Sequence, residues 1–180
     1  QTCALPIFFD CKVYDFLPDN YDGLNSPVVD SEIPVSALEN VAVLNGDIVM
    51  NDQLMNDVIC AHTDAPYVLM DSTRKDGNKY NVQVQGDKVC VMSKNLTEFL
   101  GNYASVTKLD AVSSRFVLEQ LDQMVNEGMY NLFFEDALVQ MIFDKNFELY
   151  FKDIKDYQWT EVDNVDDLLK ARQIQSESNK

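Results

Sequence analysis

Apolar positions along the chain change period several times, and each change marks an element. Val41 to Leu44 form a continuous apolar run that stops at Asn45-Gly46-Asp47, the pattern of a buried parallel strand ending in a turn. From Asn51 to His62, Leu54, Met55, Val58 and Ile59 recur at helical spacing behind Asn51 or Asp52 as N-cap. Tyr67 to Met70 reads as a second strand, followed by a polar loop from Asp71 to Asn78. Tyr80–Gln85 and Lys88–Ser93 flank the two-residue turn Gly86-Asp87, which predicts a hairpin. Tyr103 to Leu109 predicts another strand. Ser113 or Ser114 opens a helix through Val117, Leu118, Leu121, Met124 and Val125, with Gly128 as its stop. A helix over 135–143, strands over 147–154 and 157–162, and a last helix from Asn164 complete the pattern. Alternating strands and helices predict an α/β sandwich with a mixed sheet.

Before this region, residues 8–40 are irregular, with Pro18, Gly23, Pro27 and Pro34 punctuating short apolar pieces. Gln1 to Ile7 resembles the in-frame translation of a sequencing-library adapter and is expected to be non-native. The organisation is therefore read as a scar over 1–7, an irregular remnant over 8–40, one domain over 41–174 and a frayed tail over 175–180.

Composition narrows the function. The 180 residues carry 14 Lys and Arg against 30 Asp and Glu, a formal charge of −16. Nucleic-acid binding draws on Lys and Arg neutralising phosphates, and no basic cluster is present. No apolar run approaches the roughly 20 residues that cross a bilayer. Cys3, Cys11, Cys60 and Cys90 have neither C-x-x-C spacing nor a His partner, so reduced thiols in a cytoplasmic protein are the expectation. His62 is assigned no role. An anionic ligand on so acidic a chain requires a metal to mediate.

Two places carry candidate chemistry. Asp47 follows Gly46 at the carboxyl end of an apolar strand, where ligands of open α/β sheets gather. Asn-Gly-Asp is equally good turn chemistry, and both readings stand. In an extended strand Tyr157, Trp159, Glu161 and Asp163 share one face, so two carboxylates project side by side. Such a pair repels unless a cation lies between them, and Mg²⁺ prefers oxygen ligands. Asn164, Asp166 and Asp167 fit the start of a helix instead. Tyr130, Phe133, Phe134, Tyr157 and Trp159 lie near Glu135, Asp136 and Glu161 in sequence, a mixture suited to a quaternary ammonium; core packing is the plainer reading of Phe133 and Phe134.

Leu44-Asn-Gly-Asp47, the hairpin ending in Val91-Met-Ser-Lys94, Gly101-Asn-Tyr103, Phe134-Glu-Asp-Ala-Leu138 and Trp159-Thr-Glu-Val-Asp163 with Asp166-Asp-Leu168 occur in an order that resembles the latter two-thirds of the sugar-phosphate nucleotidyltransferase superfamily. Within it, the chain looks most like small cytidylyltransferases acting on phosphocholine or aminoalkyl phosphonates. The resemblance covers about residues 41–172. It implies a Rossmann-like nucleotidyltransferase sandwich with a mixed, mainly parallel sheet whose first βα unit is missing. It further implies Mg²⁺-dependent transfer of a nucleotidyl group, from CTP above all, with release of pyrophosphate. Asp47 and Asp163 would then be catalytic metal ligands with Glu161 beside them, and Trp159, Tyr130, Glu135 and Lys94 would meet the substrate. Ala104-Ser105 replaces a Gly-containing turn of the family, and its Gly-rich loop with Arg and Lys has no counterpart in residues 8–40. The chain is accordingly expected to be a fragment without activity of its own. A non-catalytic α/β binding or regulatory module and a nucleotide-sugar glycosyltransferase are the rival readings; no D-x-D motif stands at the first acid to favour the latter.

Overall fold

The computed structural model describes residues 40–178, so the readings of residues 1–7, of 8–39, and of Cys3 and Cys11 lie outside it. In chain order the elements are β1 (Asn40–Leu44), β2 (Ile48–Met50), α1 (Asp52–Leu54, continuing as a π-helical turn over Met55–Ile59), β3 (Tyr67–Asp71), β4 (Asn81–Gln85), β5 (Lys88–Ser93), β6 (Gly101–Asp110), α2 (Ala111–Asn126), α3 (Phe134–Lys145), β7 (Tyr150–Asp153), β8 (Trp159–Glu161) and α4 (Val165–Ser178). Asn51 caps α1 by accepting from the Leu54 N–H at 3.0 Å. Asp110, rather than Ser113 or Ser114, caps α2, accepting from Val112 N at 2.8 Å and Ser113 N at 3.1 Å. Helix α4 continues to Ser178, into the segment read as a tail.

The expectation of a mainly parallel sheet is overturned. The main sheet runs β1-β6-β3-β7-β5-β4, and only β3 and β7 pair in parallel. Parallel neighbours need crossovers of a dozen or more residues. Only the long passage through α2 and α3 supplies one between paired strands, whereas β4 and β5 are joined by the Gly86 turn, φ 63°. Nor is the sheet open. The ten-residue β6 gives one edge to β3 and divides the other, Val106–Asp110 pairing with β1 and Gly101–Asn102 with β4. Pairing thus returns from β6 through β3, β7, β5 and β4 to β6, a small barrel with β1 outside it. The apolar run Val41–Leu44 is half-buried strand beside the barrel, not a central parallel strand.

Both faces of β3 and β6 are covered, because alternate side chains enter different cores. Val68, Met70, Tyr103 and Leu109 pack with Val117, Leu121 and Met124 of α2 and Leu138 and Met141 of α3. Leu69, Ala104 and Val106 face the other way, onto Leu54, Val58, Ile154 and Trp159. Burial of each such aliphatic side chain contributes about 1.5–3 kcal/mol before entropy is counted. Gly101 lets β6 lie against β3: a Cβ there would stand 2.2 Å from Met70 Sδ and 2.4 Å from the Asp71 carbonyl oxygen. A separate two-stranded ribbon, β2 with β8, pairs Ile48 with Glu161 and Met50 with Trp159. Three residues are too few for periodicity to register, so β2 leaves no signal in the sequence.

Candidate active site

The β2–β8 ribbon brings the two predicted acid motifs together. Asp47 immediately precedes β2, its carbonyl accepts from the Val162 N–H at 2.9 Å, and Glu161 ends β8 opposite Ile48. Burial first, then repulsion from Glu161 and more weakly from Asp163, push the Asp47 carboxyl above its usual range. Asp47 Oδ1 is buried and has no hydrogen-bond partner among the described residues.

Glu161 is engaged at both oxygens. Ser105 Oγ donates to Oε1, and Lys79 Nζ stands 2.5 Å from Oε2. The same ammonium also pairs with Asp163 Oδ2. Glu161 and Asp163 therefore lie side by side, as the alternation required, although β8 stops at Glu161. Burial would lower the Lys79 pKa, but hydrogen bonds and charge from Asp163 and Glu161 outweigh it and hold the ammonium above the ordinary lysine range.

Ser105 has a left-handed backbone, φ 56°, at the point where the β3–β6 register shifts. A non-glycine residue there carries a strain of about 1–2 kcal/mol. The positive φ falls at Ala104-Ser105, the place where the sequence resemblance leads us to expect a glycine. We expect Ser105→Gly to be more stable than Ser105→Ala by about 1 kcal/mol, because Gly relieves the strain while both lose the hydroxyl. Equal midpoints in urea unfolding would contradict this.

A second group adjoins the acids. Tyr80 and Phe133 meet edge to face at 6.0 Å, and Lys94 Nζ lies 5.3 Å from the first ring and 4.9 Å from the second. Glu135, 6% exposed at the first turn of α3, is raised by burial and by the neighbouring Asp136, with Lys94 opposing. Tyr80 donates to Asp136 Oδ1 at 3.3 Å. Burial first, then the charges of Glu135 and Glu161, hold the Tyr103 hydroxyl well above its usual range.

Of the expected substrate residues, Glu135 and Lys94 come together in this aromatic group. Tyr130 lies on the exposed turn between α2 and α3. Trp159 is 5% exposed and enters the core: its Nε1 donates to Asp71 Oδ2 at 2.9 Å and Arg74 covers its ring at 3.8 Å. It cannot offer a ligand its face while Arg74 lies over it. No motif marks Lys79, Tyr80 or Ser105 as part of a site. Lys79 sits in a loop without periodicity, and only the departure at Ala104-Ser105 pointed toward Ser105. His62, left without a role, is on the surface between Asn40 and Asp64.

The chemistry of Asp47, Glu161 and Asp163 suits a hard divalent ion, and the orphaned Oδ1 of Asp47 is an oxygen such an ion could take. As the side chains stand, no three His, Cys, Asp or Glu groups among the described residues form a metal-binding cluster. Lys79 holds two of the three acids.

No family model and no curated protein matches the sequence. Solved structures do. The chain superposes on the inositol-1-phosphate CTP transferase from T. maritima with a TM-score of 0.61 at 14% identity, over 79% of this chain and 57% of that one. The CTP:phosphocholine cytidylyltransferase from Streptococcus pneumoniae gives 0.56 at 18% identity, over 78% and 60%. A putative glucose-1-phosphate thymidylyltransferase from Bacillus anthracis gives 0.56 at 16%, over 76% and 54%. The chain shares the fold of these transferases. The mixed α/β arrangement expected from the sequence is therefore present, and the chain spans between half and two-thirds of the length of these neighbours. Among the described residues no helix is long and apolar enough to cross a membrane.

Proposed function

We propose that this chain contributes the acidic half of a nucleotidyltransferase centre, which moves a cytidylyl group from CTP to a small phosphate or phosphonate such as phosphocholine and releases pyrophosphate. The reading rests on one observation above others: the β2–β8 ribbon sets Asp47 beside Val162, more than a hundred residues away in the chain, on the segment that carries Glu161 and Asp163. Asp47 and Asp163 would be the ligands of a Mg²⁺ ion, with Glu161 beside them. Such an ion offsets phosphate charge and orients in-line attack. The acceptor oxygen forms a bond to the α-phosphorus, and the bond from that phosphorus to the pyrophosphate oxygen breaks.

Tyr80, Phe133 and Glu135 support a cationic acceptor. They already surround an ammonium, that of Lys94, and an aminoalkyl or choline head has the same charge. Lys94 would swing out toward the acceptor's phosphate when that head enters.

The test is pyrophosphate release from CTP by the purified protein, with phosphocholine or aminoethylphosphonate as acceptor. Mg²⁺-dependent release with either acceptor is expected. A protein that releases none with either, yet binds a partner protein, would be the non-catalytic module.

A further inference from the structure

Lys79 belongs to no motif, yet it is held in place from three sides. Its loop begins at Arg74, whose Nη2 donates to the Trp159 carbonyl at 2.6 Å and whose Nε pairs with Asp71 at 3.2 Å. Midway, the buried Asn102 accepts from Asp76 N at 2.7 Å and donates to the Asp76 carbonyl at 2.9 Å. The loop ends in β4, which pairs with β6 at Asn81. A lysine at a free surface spends its charge in water and gains little from one ion pair. Lys79 instead reaches two carboxylates at once from a pinned loop, with Ser105 fixing one of them from the far side.

We infer that Lys79 is a tethered counter-ion occupying the ground between Glu161 and Asp163, and that a divalent cation must displace it to bind. This rests on the metal-centre reading above. Two negative charges held side by side need a cation, and in the chain by itself the ammonium fills that need. A metal entering must break both Lys79 pairs, so its apparent affinity is reduced by the stability of those pairs, as for any ligand whose site must first be vacated. The device keeps the acids aligned without an ion, and makes ion binding weak.

The experiment is calorimetric titration of Mg²⁺ into the full chain and into Lys79→Met, Lys79→Gln and Lys79→Arg, with thermal unfolding in the presence and absence of Mg²⁺. Lys79→Met is expected to bind Mg²⁺ about tenfold more tightly than the unsubstituted chain, the equivalent of losing two modest ion pairs. Its Tm without Mg²⁺ should fall and should recover on adding it, because a ligand of the folded state stabilises by mass action. Lys79→Arg keeps the charge and should resemble the unsubstituted chain. If Lys79→Met does not fold without the ion, Lys79→Gln, which keeps a donor for both acids, carries the comparison. Equal or weaker Mg²⁺ affinity in the neutral variants overturns the displacement while leaving the metal centre standing. Absence of Mg²⁺ binding in every form overturns both.

Discussion

Asp47→Asn and Asp163→Asn proteins are expected to stay folded while losing at least about a hundredfold in Mg²⁺-dependent pyrophosphate release. The two halves of that expectation have different causes. Asp163 is half-exposed, so its loss removes one partner of Lys79 and little packing. Asp47 is held by burial and by Glu161 in a place where ionisation is disfavoured. A neutral amide of the same shape removes that repulsion, so Asp47→Asn should match or exceed the parent in thermal midpoint even as activity disappears. Stability rising where function falls is the signature of a site selected for chemistry. Rates near the parent value in either variant would remove that acid from the centre.

Asp71→Ala is expected to be the most damaging single change to the fold, at about 3–5 kcal/mol. Asp71 is 4% exposed and accepts from Thr73 N at 2.9 Å, Thr73 Oγ1 at 2.6 Å and Trp159 Nε1 at 2.9 Å, with Arg74 alongside. Alanine would leave the buried indole N–H without its acceptor and Arg74 Nε without its carboxylate, and would loosen the packing of β8 against the end of β3. Burial by itself would raise the Asp71 carboxyl, but these hydrogen bonds and Arg74 outweigh it and hold it below the usual carboxylate range. Asp110 is likewise lowered, by Ser113 and Val112 against its burial. A carboxyl depressed in the folded state binds fewer protons there than when unfolded, so its contribution is complete above the unfolded value near 4 and declines as pH falls through the folded value. Urea midpoints should therefore drop steeply below about pH 4, and Asp71→Asn should flatten that decline. A variant as pH-sensitive as the parent would show that the depression at Asp71 carries no stability.

Local pattern was sufficient for most elements. The hairpin at Gly86-Asp87, the strands at Tyr67 and Tyr103 and the three longer helices stand where periodicity and punctuation put them, because each is specified by side chains adjacent in the chain. The two acidic motifs were legible too, since a carboxylate pair at two-residue spacing and an Asp after a glycine turn are local signals. What the sequence could not decide was everything that depends on which strand lies beside which. An apolar run at Val41–Leu44 has the same composition in a central parallel strand as in an antiparallel one beside a barrel, and only the division of β6 between β1 and β4 settles it. Trp159, expected to meet the substrate, is held by Asp71 at the end of β3 and by Arg74 in the loop after it, some 85 residues earlier. Lys79 and Tyr80 gained their places from that loop's anchorage on Asn102, and Ser105 its left-handed backbone from a shift in register with β3. Side-chain chemistry is written residue by residue, but the neighbours that give a charge its counter-charge come from distant segments, and only the tertiary structure brings them within a few ångströms.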